Sequence, residues 1–174
     1  FGILDKDFNE VIAPVCRRIE PLGGNYIASI DDIKEVGIFN SDGEAILPLM
    51  CSSIKPAWGD FVWIYTNNNE SIGLATINGH ILIEPCFGKV EAFADGYAKV
   101  SAGYWYNEED EYSGIIHRKY KEDAWGVVDR SGKLVVPTKY ESIKIEEDGT
   151  FVVDNKIGYG RLNKEGKLII KDTD

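Results

Sequence analysis

The sequence lacks the features that would indicate a membrane protein or a metal centre. No apolar run approaches the roughly 20 residues needed to cross a bilayer, and no signal peptide is visible. The only two histidines, His80 and His117, have no neighbours at the spacing of a metal site. We therefore expect no membrane insertion, no metal, no cofactor and a cytoplasmic location. Because the sequence starts at Phe1 without a methionine, we also expect a truncated N-terminus.

Cysteine is scarce, and the spacing of the three cysteines excludes a C-x-x-C motif. Their odd number argues against a disulfide framework. Cys16 and Cys51 occupy equivalent places in an internal repeat, Cys86 lies one residue away from that place, and other copies have Phe87 or Tyr140 there. We expect an apolar slot, in which cysteine acts as a small hydrophobic residue.

Basic residues are outnumbered: 29 acids against 19 bases give a formal net charge of −10. An acidic surface repels phosphate, which makes nucleic acid a poor partner. Solubility is one explanation of this charge, and an acidic face for a basic-surfaced protein is the other. No spacing of nucleophile, base and acid suggests chemistry, so we predict no catalytic residue and no enzyme.

What the sequence does contain is a unit of roughly 35 residues that recurs five times. Its anchor is a glycine followed by two mostly apolar residues, found at Gly2, Gly37, Gly73, Gly126 and Gly160. Such a unit is too small to bury its own apolar face and must stack on its neighbours. We predict one repeat domain, 1–174, with repeats 1–35, 36–71, 72–124, 125–158 and a partial repeat 159–174.

A second glycine follows the anchor glycine by six residues in four copies, at Gly43, Gly79, Gly132 and Gly166. In three of these copies an Asp or Asn opens the four-residue stretch that the glycine ends, which predicts a tight turn between two antiparallel strands, with glycine at positive φ. The first copy has Phe8 at this position. Either Asn9 takes the left-handed conformation there, or the first turn is of a different kind.

Each turn is followed by a β-branched run, which meets a proline in four copies: Pro14, Pro48, Pro85 and Pro137. Proline is expected to end the strand, and a further apolar segment then gives a third strand. We therefore predict an all-β protein of three-stranded repeats with little helix, stacked as an open solenoid or a curved, barrel-like array. A short helical turn near Ile54 and Ile143 is an alternative.

The stretch from Trp125 to Tyr140 resembles one unit of the bacterial WG-repeat family. That unit has Trp-Gly, two apolar residues, Asp, a turn glycine, an apolar strand, a proline and an aromatic residue. The other copies replace the tryptophan by Phe1, Val36, Ile72 or Tyr159. The resemblance implies an all-β repeat array with binding roles and no established catalytic activity, and it transfers no site residue.

One interval breaks the period: the anchor spacings are 35, 36, 53 and 34 residues, so the third repeat carries an insertion at 103–123. Insertions in repeat proteins form loops that commonly carry function. Tyr and Trp are enriched at binding hot spots, and this segment joins them to four consecutive acids. We predict its partner-binding residues to be Trp105, Tyr106, Glu108, Glu109, Asp110, Glu111 and Tyr112.

The alternative for this segment is a long β-hairpin, with strands at Tyr104–Tyr106 and Ile115–Tyr120 and a solvated tip at Glu108–Glu111. A hairpin does not exclude binding. The predicted function is a non-enzymatic protein-binding module, in its concrete form an immunity or inhibitor protein against a basic-surfaced toxin or enzyme.

The alternative function is carbohydrate or cell-envelope binding through exposed aromatic residues. Strand alternation places Phe61, Trp63 and Tyr65 on one side of a strand, with Trp58 nearby. Packing in the core is the competing interpretation of that row. The sequence leaves open the oligomeric state and the presence of flanking repeats.

Overall fold

Short β-branched and aromatic segments between tight turns give this chain an all-β fold, as predicted. The computed structural model describes residues 1–30, 34–66, 70–91, 96–110, 112, 114–121, 124–155 and 158–169, and these ranges contain strands but no helix. None of the described segments is a helix long and apolar enough to cross a membrane. Chain contacts form two compact units, Phe1–Cys86 and Phe87–Asp174.

The first unit is built from successive antiparallel sheets. Strands β1 and β2 form a hairpin, β3 to β6 form a four-stranded sheet in chain order, and β7 to β10 form another. Their bounds are β1 Ile3–Leu4, β2 Glu10–Ile12, β3 Cys16–Leu22, β4 Asn25–Ile30, β5 Val36–Phe39, β6 Ala45–Cys51, β7 Ser53–Pro56, β8 Phe61–Thr66, β9 Ser71–Thr76 and β10 Ile81–Phe87.

The second unit repeats this plan with an interruption. One sheet has the order β11-β12-β15-β16, the pair β13-β14 forms a sheet of its own between β12 and β15 in sequence, and β17-β18-β19 form the last sheet. The bounds are β11 Lys89–Val90, β12 Tyr97–Ser101, β13 Tyr104–Glu109, β14 Ile116–Lys121, β15 Trp125–Asp129, β16 Leu134–Tyr140, β17 Ser142–Ile145, β18 Phe151–Asn155 and β19 Gly158–Leu162.

The sheets differ from the predicted three-stranded unit, because the complete ones have four strands. The additional strand is the segment after the proline, which includes Ile54 in β7 and Ile143 in β17. The helical turn considered at these two positions is therefore wrong. Each four-stranded sheet joins the last two strands of one repeat to the glycine-anchored hairpin of the next, so sheets and sequence repeats are out of phase.

Three of the four prolines lie within edge strands and do not end them as predicted, whereas Pro14 follows the end of β2 at Ile12, as predicted. Pro48, Pro85 and Pro137 lie inside β6, β10 and β16, and each of these strands is the outer strand of its sheet. An edge strand has one side without a ladder partner, so a missing N–H there removes no hydrogen bond within the sheet.

The anchor glycines allow a close backbone approach. A Cβ would lie 2.5–2.7 Å from a carbonyl oxygen of the following strand at Gly2, Gly37, Gly73 and Gly126. The register of the strand pair shifts beside Gly37 and Gly126, as in a β-bulge. Gly160 has a different setting, since the nearest atoms to its Cβ position are side-chain atoms of Leu168 and Val153 at 3.5 Å.

The turns share one hydrogen-bond pattern, and Phe8 adopts it directly. Asp5 N–H donates to Asn9 O at 2.9 Å and Phe8 N–H to Asp5 O at 3.1 Å, and the turn at residues 40–44 has the same two bonds at 2.9 and 3.1 Å. Phe8 itself has a φ of +65°, close to the +82° of Gly43. Both alternatives considered for the first turn are therefore wrong, because it is the same turn with a phenylalanine in the left-handed position.

Apolar side chains fill the spaces between successive sheets. In the first unit, Ile38, Leu47, Val62 and Ile64 belong to one cluster and are at most 1% exposed. In the second unit, a cluster around Trp125, Val127, Val136 and Phe151 joins the sheets of β15 and β18. The stacking of repeats, and not any single sheet, therefore produces the core.

The predicted apolar slot exists, but only two cysteines occupy it. Cys16 and Cys51 are buried, whereas Cys86 is exposed and Phe87 is buried beside it. Burial, with a smaller contribution from the negative charge of Glu35, raises the pKa of Cys51 to about 11. A thiol of that pKa stays protonated at neutral pH, which fits a packing role and not a nucleophilic one.

Candidate functional site

The insertion folds as a β-hairpin, here called the insertion hairpin and defined as residues 104–121. β13 and β14 pair from Tyr104 opposite Lys121 to Glu109 opposite Ile116. The tip is closed by hydrogen bonds from Asp110 N–H to Ile115 O and from Gly114 N–H to Asp110 O, both 2.9 Å. The hairpin interpretation is confirmed, although β13 continues to Glu109 and the tip is correspondingly shorter than predicted.

Tyr120 fixes the root of the insertion hairpin to the sheet of β12. Its hydroxyl donates to Ser101 Oγ at 2.9 Å, and Ser101 is completely buried. A Cβ at Gly88 or Gly103 would lie 2.7 or 2.5 Å from Tyr120 side-chain atoms, so both glycines make room for this ring. Sequence reasoning missed Tyr120; the signal was the presence of two glycines outside the turn motif.

Strand alternation gives the insertion hairpin two faces. The face here called the Trp face carries Trp105, Asn107 and Glu109 of β13 beside Tyr120, Arg118 and Ile116 of β14. The Trp105 ring lies 5.1 Å from the Tyr120 ring, and the Arg118 guanidinium lies 5.1 Å from its centroid. Trp105 therefore packs against other residues of the hairpin, next to the Tyr120 side chain that anchors it.

The opposite face, here called the Tyr face, carries Tyr104, Tyr106 and Glu108 beside Lys121, Lys119 and His117. Tyr104 and Tyr106 are 54% and 37% exposed, and their ring centroids are 6.3 Å apart. Lys119 forms an ion pair with Glu108, and the hydrogen bond from Lys119 to Glu108 raises the pKa of Lys119. The Tyr face thus presents two adjacent aromatic rings bordered by lysines.

The predicted partner-binding residues do not form one surface. Trp105 and Glu109 lie on the Trp face, whereas Tyr106 and Glu108 lie on the Tyr face. Tyr112 is at the tip, where its side chain is 99% exposed and its N–H donates to Asp110 Oδ1 at 3.0 Å. Glu111 lies outside the described residues.

The charge of the insertion hairpin is mixed. Residues 104–121 contain four acids and three bases, so nearly all of the net charge of −10 lies elsewhere in the chain. The acids follow one another from Glu108 to Glu111, and the bases lie between Arg118 and Lys121 on the other strand. The acids therefore lie toward the tip of the hairpin, and the bases lie on the other strand, toward its root.

The other candidates are the two histidines and the aromatic row around Trp63. His80 and His117 are exposed, and among the described residues no group of three or more potential ligands could hold a metal ion. Trp63, at the centre of the aromatic row considered for sugar binding, is only 6% exposed and contacts Trp58 with its edge. Trp63 is therefore packed, whereas Phe61 and Tyr65 of the same row are half-buried.

Comparison with known families bears on the stretches around the insertion hairpin. The family model described as "WG containing repeat" matches residues 72–104 and 125–155. These two stretches are WG repeats. The matches leave out residues 105–124 between them, so the insertion hairpin, apart from Tyr104, lies outside the matched WG units.

Solved structures give only a general likeness. The chain is similar to the WD40 β-propeller domain of Doa1, at 13% identity and a TM-score of 0.30, covering 93% of this chain and 55% of that chain. It is also similar to Kluyveromyces lactis Hsv2, at 14% identity and a TM-score of 0.33, covering 95% of this chain and 69% of that one.

A protein of unknown function from Bacteroides caccae is similar at 13% identity and a TM-score of 0.26, covering 97% of this chain and 72% of that one. Scores this low carry no argument about function. No curated protein matches the sequence significantly.

Proposed function

We propose that this chain is a non-enzymatic protein-binding module and that it binds its partner through the Tyr face of the insertion hairpin. The WG repeats supply the packed array that carries the insertion hairpin. The insertion hairpin is where that array departs from its period, and loops held on a rigid scaffold are where repeat proteins place binding residues.

The observation that carries the proposal is an exposed aromatic pair on an anchored hairpin. A two-stranded hairpin by itself is marginally stable in water, but Tyr120 ties this one to the buried Ser101. Tyr104 and Tyr106 nevertheless remain exposed. Tyrosine offers a large contact area and loses little side-chain entropy on binding, so a pre-positioned pair is suited to a partner surface.

The Tyr face is favoured over the Trp face because its ring contacts within the chain are longer. On the Trp face, Trp105 lies 5.1 Å from both the Tyr120 ring and the Arg118 guanidinium. On the Tyr face, Tyr104 lies 6.3 Å from the Tyr106 ring and 5.9 Å from Lys121 Nζ. A partner that buries this face would complement it with apolar groups at the centre and acceptors at the rim.

The test is direct binding to the product of the neighbouring gene, measured by calorimetry. We expect the double variant Tyr104→Ser/Tyr106→Ser to bind at least ~10-fold more weakly, as for a hot-spot pair. Tyr159→Ser is the matched control, since Tyr159 is 83% exposed but lies outside the hairpin, and it should bind like the parent chain. Equal affinity of the double variant and the parent would refute the site, and no complex at micromolar concentration would count heavily against this partner.

The more specific version is an immunity or inhibitor protein against a basic-surfaced toxin or enzyme. The support for it is the net charge of −10, which would steer a basic partner toward the array before the hairpin engages. The association rate should then fall steeply with salt, because steering is screened over a Debye length of about 8 Å at physiological ionic strength. An association rate that is independent of salt would contradict the basic partner but leave the hairpin site intact.

A further inference from the structure

The turn glycines have a second role beyond their positive φ. At these glycines the turn of one repeat packs directly against the backbone of the preceding repeat. A Cβ would lie 1.8 Å from Val11 O at Gly43, 2.2 Å from Ile46 O at Gly79 and 2.0 Å from Val135 O at Gly166. Each of these carbonyls lies three residues after the turn position of the preceding repeat. No side chain fits at such distances, so this stacking contact requires glycine.

Phe8 occupies this same position in the first repeat. It has the hydrogen bonds of the other turns and a φ of +65°, a conformation that is costly for a bulky residue. Its side chain is 84% exposed. Placing another WG repeat before it would bring a carbonyl oxygen to within about 2 Å of the Phe8 Cβ, by the distances measured at the three glycines.

We propose that Phe8 prevents any WG repeat from stacking on the first turn, whether that repeat belongs to the same polypeptide or to a second copy.

The test is a fusion protein in which an additional WG repeat precedes the first turn at the same spacing as between the natural repeats. A copy of residues 125–158 is placed directly before Phe1 of the full chain, so that Phe1 follows it as Tyr159 follows Gly158. The added repeat is expected to be cleaved rapidly by a protease and to leave the unfolding midpoint unchanged when residue 8 is Phe. With Phe8→Gly in the same fusion, it should become at least ~10-fold more resistant to cleavage and raise the midpoint, because repeat proteins gain stability at each new interface.

Two further variants separate the explanations. Phe8→Ala in the fusion retains the Cβ and should behave like Phe8, because the clash is with the Cβ and not with the ring. Phe8→Gly in the unfused chain measures the relief of backbone strain alone, and the fused gain must exceed it. The proposal is overturned if the Phe8 fusion is as protected as the Gly fusion, whether both are resistant or both are labile.

Discussion

The strand pairs β12–β15 and β13–β14 are neighbours in sequence and are both antiparallel, but the first pair is buried and the second is exposed. Val100, Val127 and Val128 of the first pair are completely buried, whereas all six residues of β13 are exposed. Both pairs are rich in the β-branched or aromatic residues that favour strands. The difference is that β12 and β15 belong to the periodic array and have a neighbouring repeat to pack on, while β13 and β14 lie outside the period.

The array therefore contains the buried packing, and the exposed insertion hairpin is the region that we propose for partner binding. The largest effect expected from this difference concerns Phe151, which is completely buried in β18 and meets the Tyr97 ring edge-on at a centroid distance of 5.0 Å. Phe151→Ala should destabilise the fold by about 3–5 kcal/mol, the usual result of removing a buried aromatic ring. Urea unfolding followed by tryptophan fluorescence measures this.

The matched change in the insertion hairpin is Tyr104→Ala. Because Tyr104 is 54% exposed, its loss should change the free energy of unfolding by no more than about 0.5 kcal/mol. If the two variants are equally destabilised, the hairpin is part of the cooperative core and the division of roles is wrong.

A second prediction concerns the anchor glycine of β15. A Cβ at Gly126 would lie 2.6 Å from Val136 O and 2.9 Å from Thr138 N, both backbone atoms that cannot move independently. Gly126→Ala should therefore cost about 1–3 kcal/mol, as overpacking does. Gly24→Ala is the control, since nothing lies within 4 Å of that Cβ position, and thermal unfolding of the pair compares them. Similar midpoints for both variants would show that the close approach at Gly126 is not needed.

The third prediction concerns the hydrogen bond that links the insertion hairpin to the array. Tyr120→Phe removes the hydroxyl that donates to Ser101 Oγ and should cost about 1 kcal/mol. The loss should be local, so that amide exchange accelerates in β13 and β14 but not in β15 and β16. Acceleration in both pairs, or in neither, would mean that Tyr120 is not the anchor of the hairpin.

The glycine and turn positions allowed the repeat to be predicted because each has a direct steric cause. At Gly37 and Gly126 a carbonyl fills the place of a Cβ, and at Gly43 and Gly166 the turn and the preceding repeat both exclude one. A residue type fixed by backbone contact recurs at a constant spacing. Its period could therefore be read from a single sequence, and so could the insertion that breaks it.

The phase of the sheets could not be predicted in the same way. Proline was expected to end a strand, but Pro48 and Pro137 lie in edge strands, and which strand is an edge depends on sheet order and not on local sequence. The partition of Trp105 and Tyr106 between two faces follows from strand alternation once the segment is a hairpin, and the sequence alone left the hairpin as one of two alternatives. Tyr120 was missed because its partners Ser101, Gly88 and Gly103 become neighbours only when the hairpin folds back.

The smallest predicted effects concern pH, and they again separate the two regions. In the array, the Thr150 hydroxyl and N–H donate to Asp148 Oδ1 at 2.6 and 2.9 Å, and Arg161 pairs with the other carboxylate oxygen at 3.0 Å. These hydrogen bonds, led by that of the Thr150 side chain and aided by Arg161, lower the pKa of Asp148 below 3.8. A pKa lowered by folding means that the stabilisation is present above pH 3.8 and is lost as the pH falls through the folded-state value.

In the insertion hairpin, the bond to Glu108 raises the pKa of Lys119 above 10.5, so its stabilisation is present below that pH and is lost as the pH rises through the folded-state value. We expect Asp148→Asn to flatten the acid limb of the stability curve measured by thermal unfolding and to leave alkaline hairpin opening unchanged. Lys119→Gln should do the reverse, with its effect visible only in amide exchange of β13 and β14. Both groups are solvent-exposed, so each change is small and salt-sensitive. An alkaline effect of Asp148→Asn on the hairpin would show that the two regions are energetically coupled.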